Sequence, residues 1–323
     1  MLAYSGLRIL QTVVVMLAIS FIAFVLVANL GDPLAALLSP DATPADRAAL
    51  VSALHLDEPF LKRFADFVGG LVSGNFGISY RTHEPVARLI AERLPATLEL
   101  AGTSFVITLL LGTAAGVYCG VHPKSIPARL IMFASIAGVT LPTFVVGIVL
   151  IAVFSVTLGW FPSFGRGDTV QLGFWTTGLL TASGWRALVL PAITLSLFQV
   201  TFVIRIIRTQ LMEVGLSEHI RFARARGLSE RRIWFVYALK NTLLPVITIL
   251  GLQLGNIIAF SVVTENVFAW PGLGSLFLQS IQTADIPVIS IYLILVGAIF
   301  MVINLAVELT YPLIDARVLR SRT

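Results

Sequence analysis

The sequence predicts an all-α, polytopic membrane protein with six transmembrane helices, and three observations carry that expectation. Hydrophobic residues make up 57% of the 323 positions and charged residues only 12%, about half the charged share of an ordinary soluble domain. Six mostly apolar stretches reach the roughly 20 residues that cross a hydrocarbon core of about 30 Å at about 1.5 Å of rise per residue. Basic residues collect between particular stretches, as they do in chains sorted by the positive-inside rule. One cysteine, Cys119, excludes a disulfide framework and a multi-cysteine metal site.

The elements follow in chain order. The first stretch, 9–30 after Arg8, is longer than the usual apolar core of about 7–15 residues in a signal peptide, and no clear small-x-small cleavage site follows. It reads as a retained anchor over residues 1–30. The segment 31–97 forms the sizeable polar region on one side. There Thr43, Pro44 and Asp46 make a helix-start signal. After Pro59, the residues Phe60, Phe64, Phe67, Val68 and Leu71 recur at helical spacing. That apolar face packs either on the protein's own surface and the lipid headgroups or on an outer partner.

A core over 98–323 completes the organisation, with spans at 98–121, 130–158, 188–207, 243–263 and 288–309. The long third one is expected to tilt or bend near Pro142. Gly112, Gly116 and Gly120, and again Gly251 and Gly255, are spaced for close helix contact. Polar groups inside the spans are costly and so mark candidates. Gln199 and Thr201 interrupt the fourth span, and Gln253 with Asn256 share a face of the fifth. These amides either line a solute path or serve as interhelical glue. Glu99 and Glu308 sit near span ends with no obvious basic partner inside the spans, which argues against an ion relay.

Charge placement orients the chain. With the N-terminus inside, fourteen basic residues face four acids on that side; eight face eleven on the other. Both termini are therefore expected in the cytoplasm. The net charge of +5 belongs to one membrane face, so nucleic acid is an unnecessary partner.

The inner segment 209–241 is too long and charged for a minimal connection. Ser217 can N-cap a short helix through Arg226, Gly227 suits a left-handed C-terminal cap, and Ser229 can open a second helix with Glu230 in its first turn. Glu218 and Arg221, three apart, can pair. The helix sets Phe222, Ala223 and Ala225 among Arg221, Arg224 and Arg226. A small-residue surface flanked by arginines suits docking against the carboxylates of another protein. A basic loop held against anionic membrane lipid is the alternative.

The run RFARARGLSERRIWFVYALKNTLLPVI within this segment resembles the cytoplasmic coupling loop of permeases in the dipeptide/oligopeptide/nickel branch of ATP-binding-cassette importers. Gly31-Asp32-Pro33, Leu56-Asp57-Glu58-Pro59, Asn75-Phe76-Gly77, Leu94-Pro95-Ala96-Thr97-Leu98 and Glu265-Asn266-Val267-Phe268 before Trp270-Pro271-Gly272-Leu273-Gly274 extend the likeness over nearly the whole chain. The resemblance implies a type I importer permease fold and half of a translocation pore for di- or oligopeptides or a related small solute. It implies a second homologous permease subunit, two cytoplasmic ATP-binding subunits that hold ATP and Mg, and an extracytoplasmic solute-binding protein in a bacterial or archaeal inner membrane. It places residues 221–227 in a cleft of an ATPase subunit. Against the wider Glu-Ala-Ala-x-x-x-Gly pattern, Arg221 and Phe222 replace the first two residues while Ala223 and Gly227 match; the arginine is usual in the peptide branch.

No G-x-x-x-x-G-K-[ST] phosphate loop occurs, so the chain is expected to bind no nucleotide and to transduce energy released elsewhere. All four histidines lie outside the spans and no nucleophile motif is present, so catalysis is not expected. The rival reading is a secondary transporter driven by an ion gradient, which calls for repeats with charged midplane sites that the sequence lacks.

Overall fold

A computed structural model of the chain describes residues 2–30, 43–53 and 57–314. Gly31-Asp32-Pro33, His55, Leu56 and the tail with Asp315, Arg317, Arg320 and Arg322 lie outside the described residues.

Helix α1 spans Leu2–Leu30, α2 Pro44–Ala53 and α3 Phe60–Ser73. Thr43 and Asp46 form the expected reciprocal cap: Asp46 N–H donates to Thr43 Oγ1 (3.2 Å) and Thr43 N–H to Asp46 Oδ2 (2.9 Å). The apolar face of α3 lies on α1, where Phe60, Phe64 and Phe67 pack around Phe24 with ring centroids 5.1–5.5 Å apart. Tilted and edge-on aromatic contacts of this kind add to the area buried. That stripe is used internally.

Helix α4 covers Val86–Val121 and widens into a π-type turn at Thr108–Gly112. It begins twelve residues before the expected span, because Arg88, Glu92 and Arg93 hide its first turns from a hydropathy reading. The third span is two helices, α5 (Ile126–Thr140) and α6 (Thr143–Leu150, continued by a π-type stretch Ile151–Thr157). Extended backbone at Leu141 (ψ 129°) and Pro142 (ψ 137°) breaks it. A residue before or at proline avoids helical ψ, so the expected bend becomes an interruption. A small hairpin, β1 (Val170–Leu172) and β2 (Trp175–Thr177), then precedes α7 (Ala182–Gly215).

Helix α8 is Glu218–Ala225. Helix α9 opens with Glu230–Arg232, widens at Ile233–Ala238 and runs on through Leu239–Val267. Finally α10 spans Leu273–Gln282 and α11 Ile286–Ile314. Among the described residues five helices are long and apolar enough to cross a membrane, and the α5–α6 pair occupies the place of the third of six spans. Within the inner segment 209–241, residues 209–215 continue α7, and the second helix expected from Ser229 runs on without a break into α9, leaving α8 and two turns between them. Charged residues outside the bilayer extend a helix as readily as apolar ones inside it.

Helix α7 is the central post. Its Val203, Ile207 and Leu211 fill the flat strip left by Gly112, Gly116 and Gly120 on α4. A β-carbon at those glycines would meet Val203, Ile207 and Leu211 at 2.9, 2.9 and 2.8 Å, closer than packed carbons approach. Likewise Gly251 and Gly255 on α9 lie against Val307 and Phe300 of α11. Both small-residue patterns therefore mark close helix contact, as expected.

Candidate coupling site and translocation path

The short helix α8 is built as a rigid corner between two long helices. Ile220 and Ala223, three residues apart and thus on one face, are buried with Ile207 and Leu211 of α7 and with Ile233, Ala238, Val246 and Leu250 of α9. At its far end Gly227 takes φ +72°, a left-handed conformation that costs glycine little. Gly227 N–H donates to Arg224 O (2.9 Å) and Leu228 N–H to Ala223 O (3.3 Å). That pair of bonds is a Schellman closure, with Leu228 packed against the same cluster as Ala223.

Arg224 locks the corner from outside. Its Nε and Nη2 donate to Glu230 Oε1 (2.8 Å) and Oε2 (3.3 Å), and its guanidinium stands 5.8 Å from the centre of the Trp234 ring. The hydrogen bond from Arg224 holds the Glu230 carboxyl below its ordinary value, and the same bond raises Arg224. Gly215 completes the joint, since a β-carbon there would meet Trp234 at 2.7 Å. Glu218 accepts from Arg221 Nη1 (3.0 Å), as its spacing indicates.

Two expectations for this helix are corrected. Ser217 and Ser229 stand at the N-cap positions but neither hydroxyl caps; Ser217 Oγ donates instead to Val214 O, a carbonyl left open at the end of α7. The outer face is also not a small-residue surface. Ala223 turns inward, Ala225 is exposed, and the exposed face carries Arg221, Phe222 and Arg226 beside Glu218. Phe222 is 64% exposed and has the Arg226 guanidinium 5.7 Å from its ring centre. The face thus offers an aromatic ring, flanked by cations, on a helix that cannot pivot freely.

The intramembrane amides fall into two places. Gln253 is buried and accepts from Asn256 Nδ2 (3.3 Å), so those two form one pair on α9. Gln199 lies apart, on α7, and lines a cavity of about 330 Å³ at the α5–α6 break together with Leu141, Pro142, Thr143 and Phe260. Thr201 is turned back on its own helix, donating to Leu197 O (3.0 Å).

Two buried carboxylates at the other end carry more of the architecture than their sequence context suggests. Glu265 is fully buried, accepting from Thr97 Oγ1 (2.7 Å), Ser275 N–H (3.0 Å) and Ser261 Oγ (3.3 Å), while Leu273 N–H donates to Thr97 Oγ1 (2.7 Å). Trp270 Nε1–H reaches Ala96 O (2.9 Å). The clasp joins α4, α9 and α10. It also explains why glycines stand at 272 and 274: a β-carbon at either would strike the Glu265 carboxyl or the α9 backbone at Val262.

Glu99, expected near water without a basic partner, is instead buried against Arg166, whose Nη2 donates to Glu99 Oε2 (2.6 Å) and to Thr176 O (2.6 Å). Glu308 pairs with Arg8 (3.0 Å). Both partners come from outside the apolar runs, where a search confined to the spans misses them. For Glu265 the available signals were a carboxylate at the end of an apolar run and its place in the Glu265-Asn266-Val267-Phe268 motif, neither of which names Thr97 as its partner.

The described residues form a helical bundle with five membrane-length apolar helices, braced by buried polar contacts and carrying an exposed corner helix, and comparison with known proteins gives its class. A family model described as binding-protein-dependent transport system inner membrane component matches residues 112–320. A second, for the N-terminal part of such membrane components, matches residues 1–101. The oligopeptide transport system permease protein AppB of Bacillus subtilis (strain 168) is 36% identical over 320 residues, covering 98% of this chain and 99% of that protein. The glutathione transport system permease protein GsiC of Escherichia coli (strain K12) is 34% identical over 316 residues, 98% of each. The di/tripeptide transport system permease protein DppB of Pseudomonas aeruginosa (strain UCBPP-PA14) is 33% identical over the full length of both. Among solved structures, an inward-facing MetNI methionine ABC transporter matches with a TM-score of 0.53 at 20% identity, covering 70% of this chain and 96% of that one.

The chain therefore belongs to the binding-protein-dependent transport system inner membrane component family. It is a membrane-embedded permease subunit of an ATP-binding-cassette importer, with a type I importer permease fold, and a transport component rather than an enzyme. Such subunits act in a membrane complex with partner ATPases.

Proposed function

We propose that this permease carries short peptides or a closely related amide-containing solute, forming half of a pore whose other half is a second homologous permease. Two cytoplasmic ATPases hold ATP and Mg and power the cycle, and an extracytoplasmic binding protein delivers the solute. Peptide transport is supported by the relatives named for oligopeptides, di/tripeptides and glutathione over essentially the whole chain. Both termini are cytoplasmic in this reading, supported by the fourteen basic residues that share the side of α8 with them. The residues 1–30 serve as anchor, 31–97 as the outer segment and 98–323 as the permease core.

The single observation that carries the mechanism is the braced corner at α8. Ser217, Glu218, Arg221, Phe222, Ala223, Arg224, Ala225, Arg226 and Gly227 form the unit that seats in an ATPase cleft. Within it the outward Arg221, Phe222 and Arg226 make the contact, whereas Ala223, Arg224 and Gly227 keep the helix fixed to α7 and α9. Closure of the ATPases then moves α8 without bending it, and the long helices carry that displacement through the membrane. Gln199, Gln253 and Asn256 line the solute path.

Purification in mild detergent tests the assembly: an ATPase pair and a homologous permease are expected to accompany the chain, and vesicles holding the complex with its binding protein are expected to take up radiolabelled trialanine only with ATP. A chain that purifies alone and accumulates solute on an ion gradient without ATP refutes the reading.

A further inference from the structure

The α5–α6 break exposes helix-terminal backbone at an open cavity beside α7 and α9. The first amides of α6 follow Pro142 with no side-chain cap, and Val145 and Val146 are the first to donate within the helix, both to Pro142 O. Thr143 and Phe144 are thus left with N–H groups that have no partner in the helix. The helix dipole adds partial positive charge at the same point.

Gln199 faces the same cavity from α7. It is 2% exposed, and its Oε1 has no hydrogen-bond partner among the described residues. A buried carboxamide left unpaired costs about 1–3 kcal/mol, so such a group calls for a partner that comes and goes. Gln199 lies near the middle of α7, about 25 Å from either end at about 1.5 Å per residue. The remaining wall is mostly apolar, from Leu141, Leu195, Phe198 and Phe260, with Thr140 beside them turning its hydroxyl back to Ile136 O (3.0 Å). An apolar pocket of this size with a few convergent polar groups has the form of a small-molecule site.

We propose that the cavity at the α5–α6 break is a midplane subsite that reads the C-terminal end of a peptide, its carboxylate oxygen accepting from the Thr143 amide at the start of α6 while its last peptide N–H donates to Gln199. The donor and acceptor chemistry is complementary: the helix terminus needs an acceptor with negative charge, and Gln199 Oε1 needs a donor. Apolar walls receive the neighbouring side chains without choosing among them. A permease passing many short peptides has to grip what they share, namely the main chain and its terminal carboxylate. The subsite rests on the peptide reading given above.

The test uses the full complex with its binding protein in vesicles, with trialanine and trialanine amide as radiolabelled probes. Gln199→Leu removes the carboxamide at similar volume; Thr143→Pro removes one N–H while keeping the helix start, since Pro142 already has the extended ψ that a following proline requires. Gln199→Leu is expected to lower the maximal uptake rate of trialanine about tenfold with the half-saturating concentration unchanged, because capture belongs to the binding protein. Thr143→Pro is expected to abolish most of the wild-type preference for trialanine over its amide. Wild-type rates in Gln199→Leu, or an unchanged preference in Thr143→Pro, overturn the subsite and leave the peptide permease reading standing. Failure of the wild-type complex to move either probe while it moves an unrelated solute overturns the peptide reading itself.

Discussion

Inserting a flexible Gly-Ser pair after Gly227 separates a braced corner from a hinge. Two added residues lengthen the chain by up to about 7 Å, which parts Leu228 N–H from Ala223 O and Glu230 from Arg224. The lost backbone bond is worth about 1 kcal/mol. Partial undocking of Leu228 from the cluster around Ile220 adds about 1 kcal/mol more. The ion pair is left out of the sum, because side chains 41% and 60% exposed make its contribution small beside the other two. A loss of about 2 kcal/mol raises the undocked population of α8 about thirtyfold, at 1.4 kcal/mol for each factor of ten. Membrane insertion is expected to be normal, because the spans are untouched. In vesicles holding the full complex, ATP hydrolysis is expected to continue while solute moved per ATP falls severalfold. The same insertion after Gly173, at the tip of the β1–β2 hairpin, is expected to leave that ratio alone. An unchanged ratio in the Gly227 insertion refutes the idea that α8 transmits force through a stiff corner.

Three further outcomes are expected. Gly116→Val forces a side chain into Ile207, whose Cβ stands 2.9 Å from where a β-carbon would sit, and should cost about 1–3 kcal/mol, read as a lower unfolding midpoint in detergent; Gly102→Val, with nothing within 4 Å, should unfold like the wild type. Glu265→Ala leaves Thr97 Oγ1 and the Ser275 amide without their acceptor in a buried site, about 1–3 kcal/mol for each, whereas Glu265→Gln should recover a good part of the loss; equal midpoints for all three proteins would contradict the clasp. The Glu230 carboxyl lies below its ordinary 4.5 because Arg224 bonds its charged form, so its contribution to the corner is present above 4.5 and fades as pH falls through the depressed value. The hydrogen-exchange protection of the Gly227 and Leu228 amides, taken relative to the intrinsic exchange rate at each pH, should fall slightly over that acidic range in the wild type, while Glu230→Gln should show the lower protection already at neutral pH and no such acidic step.

Much of the fold was legible because a membrane span is set by a one-dimensional property. Apolar length marks where a helix crosses, and glycine every fourth residue marks where two helices touch, so Gly112, Gly116 and Gly120 announced their contact without naming α7 as its partner. Residues 217–227 were legible for a similar reason: Gly227 and the i, i+3 pair of Glu218 and Arg221 are local devices. Helix ends were not legible where charge replaced apolarity, at Val86 and at Gly215. Hydropathy measures transfer into lipid and is blind to a helix that continues into water.

What the sequence by itself determined was the class: an apolar, helical chain without a phosphate loop, its basic residues gathered between particular spans and one charged, punctuated segment among them. Only the tertiary structure decided which side of that segment faces out. Ala223 is buried and Phe222 exposed because α7 and α9 converge on one flank of α8, and a sequence motif carries no record of which flank is covered. The same holds for Glu265, Glu99 and Gln199. A buried polar group takes its role from the partner opposite it, and Thr97, Arg166 and the broken end of α6 are brought there by packing from positions 168, 67 and about 56 residues away along the chain.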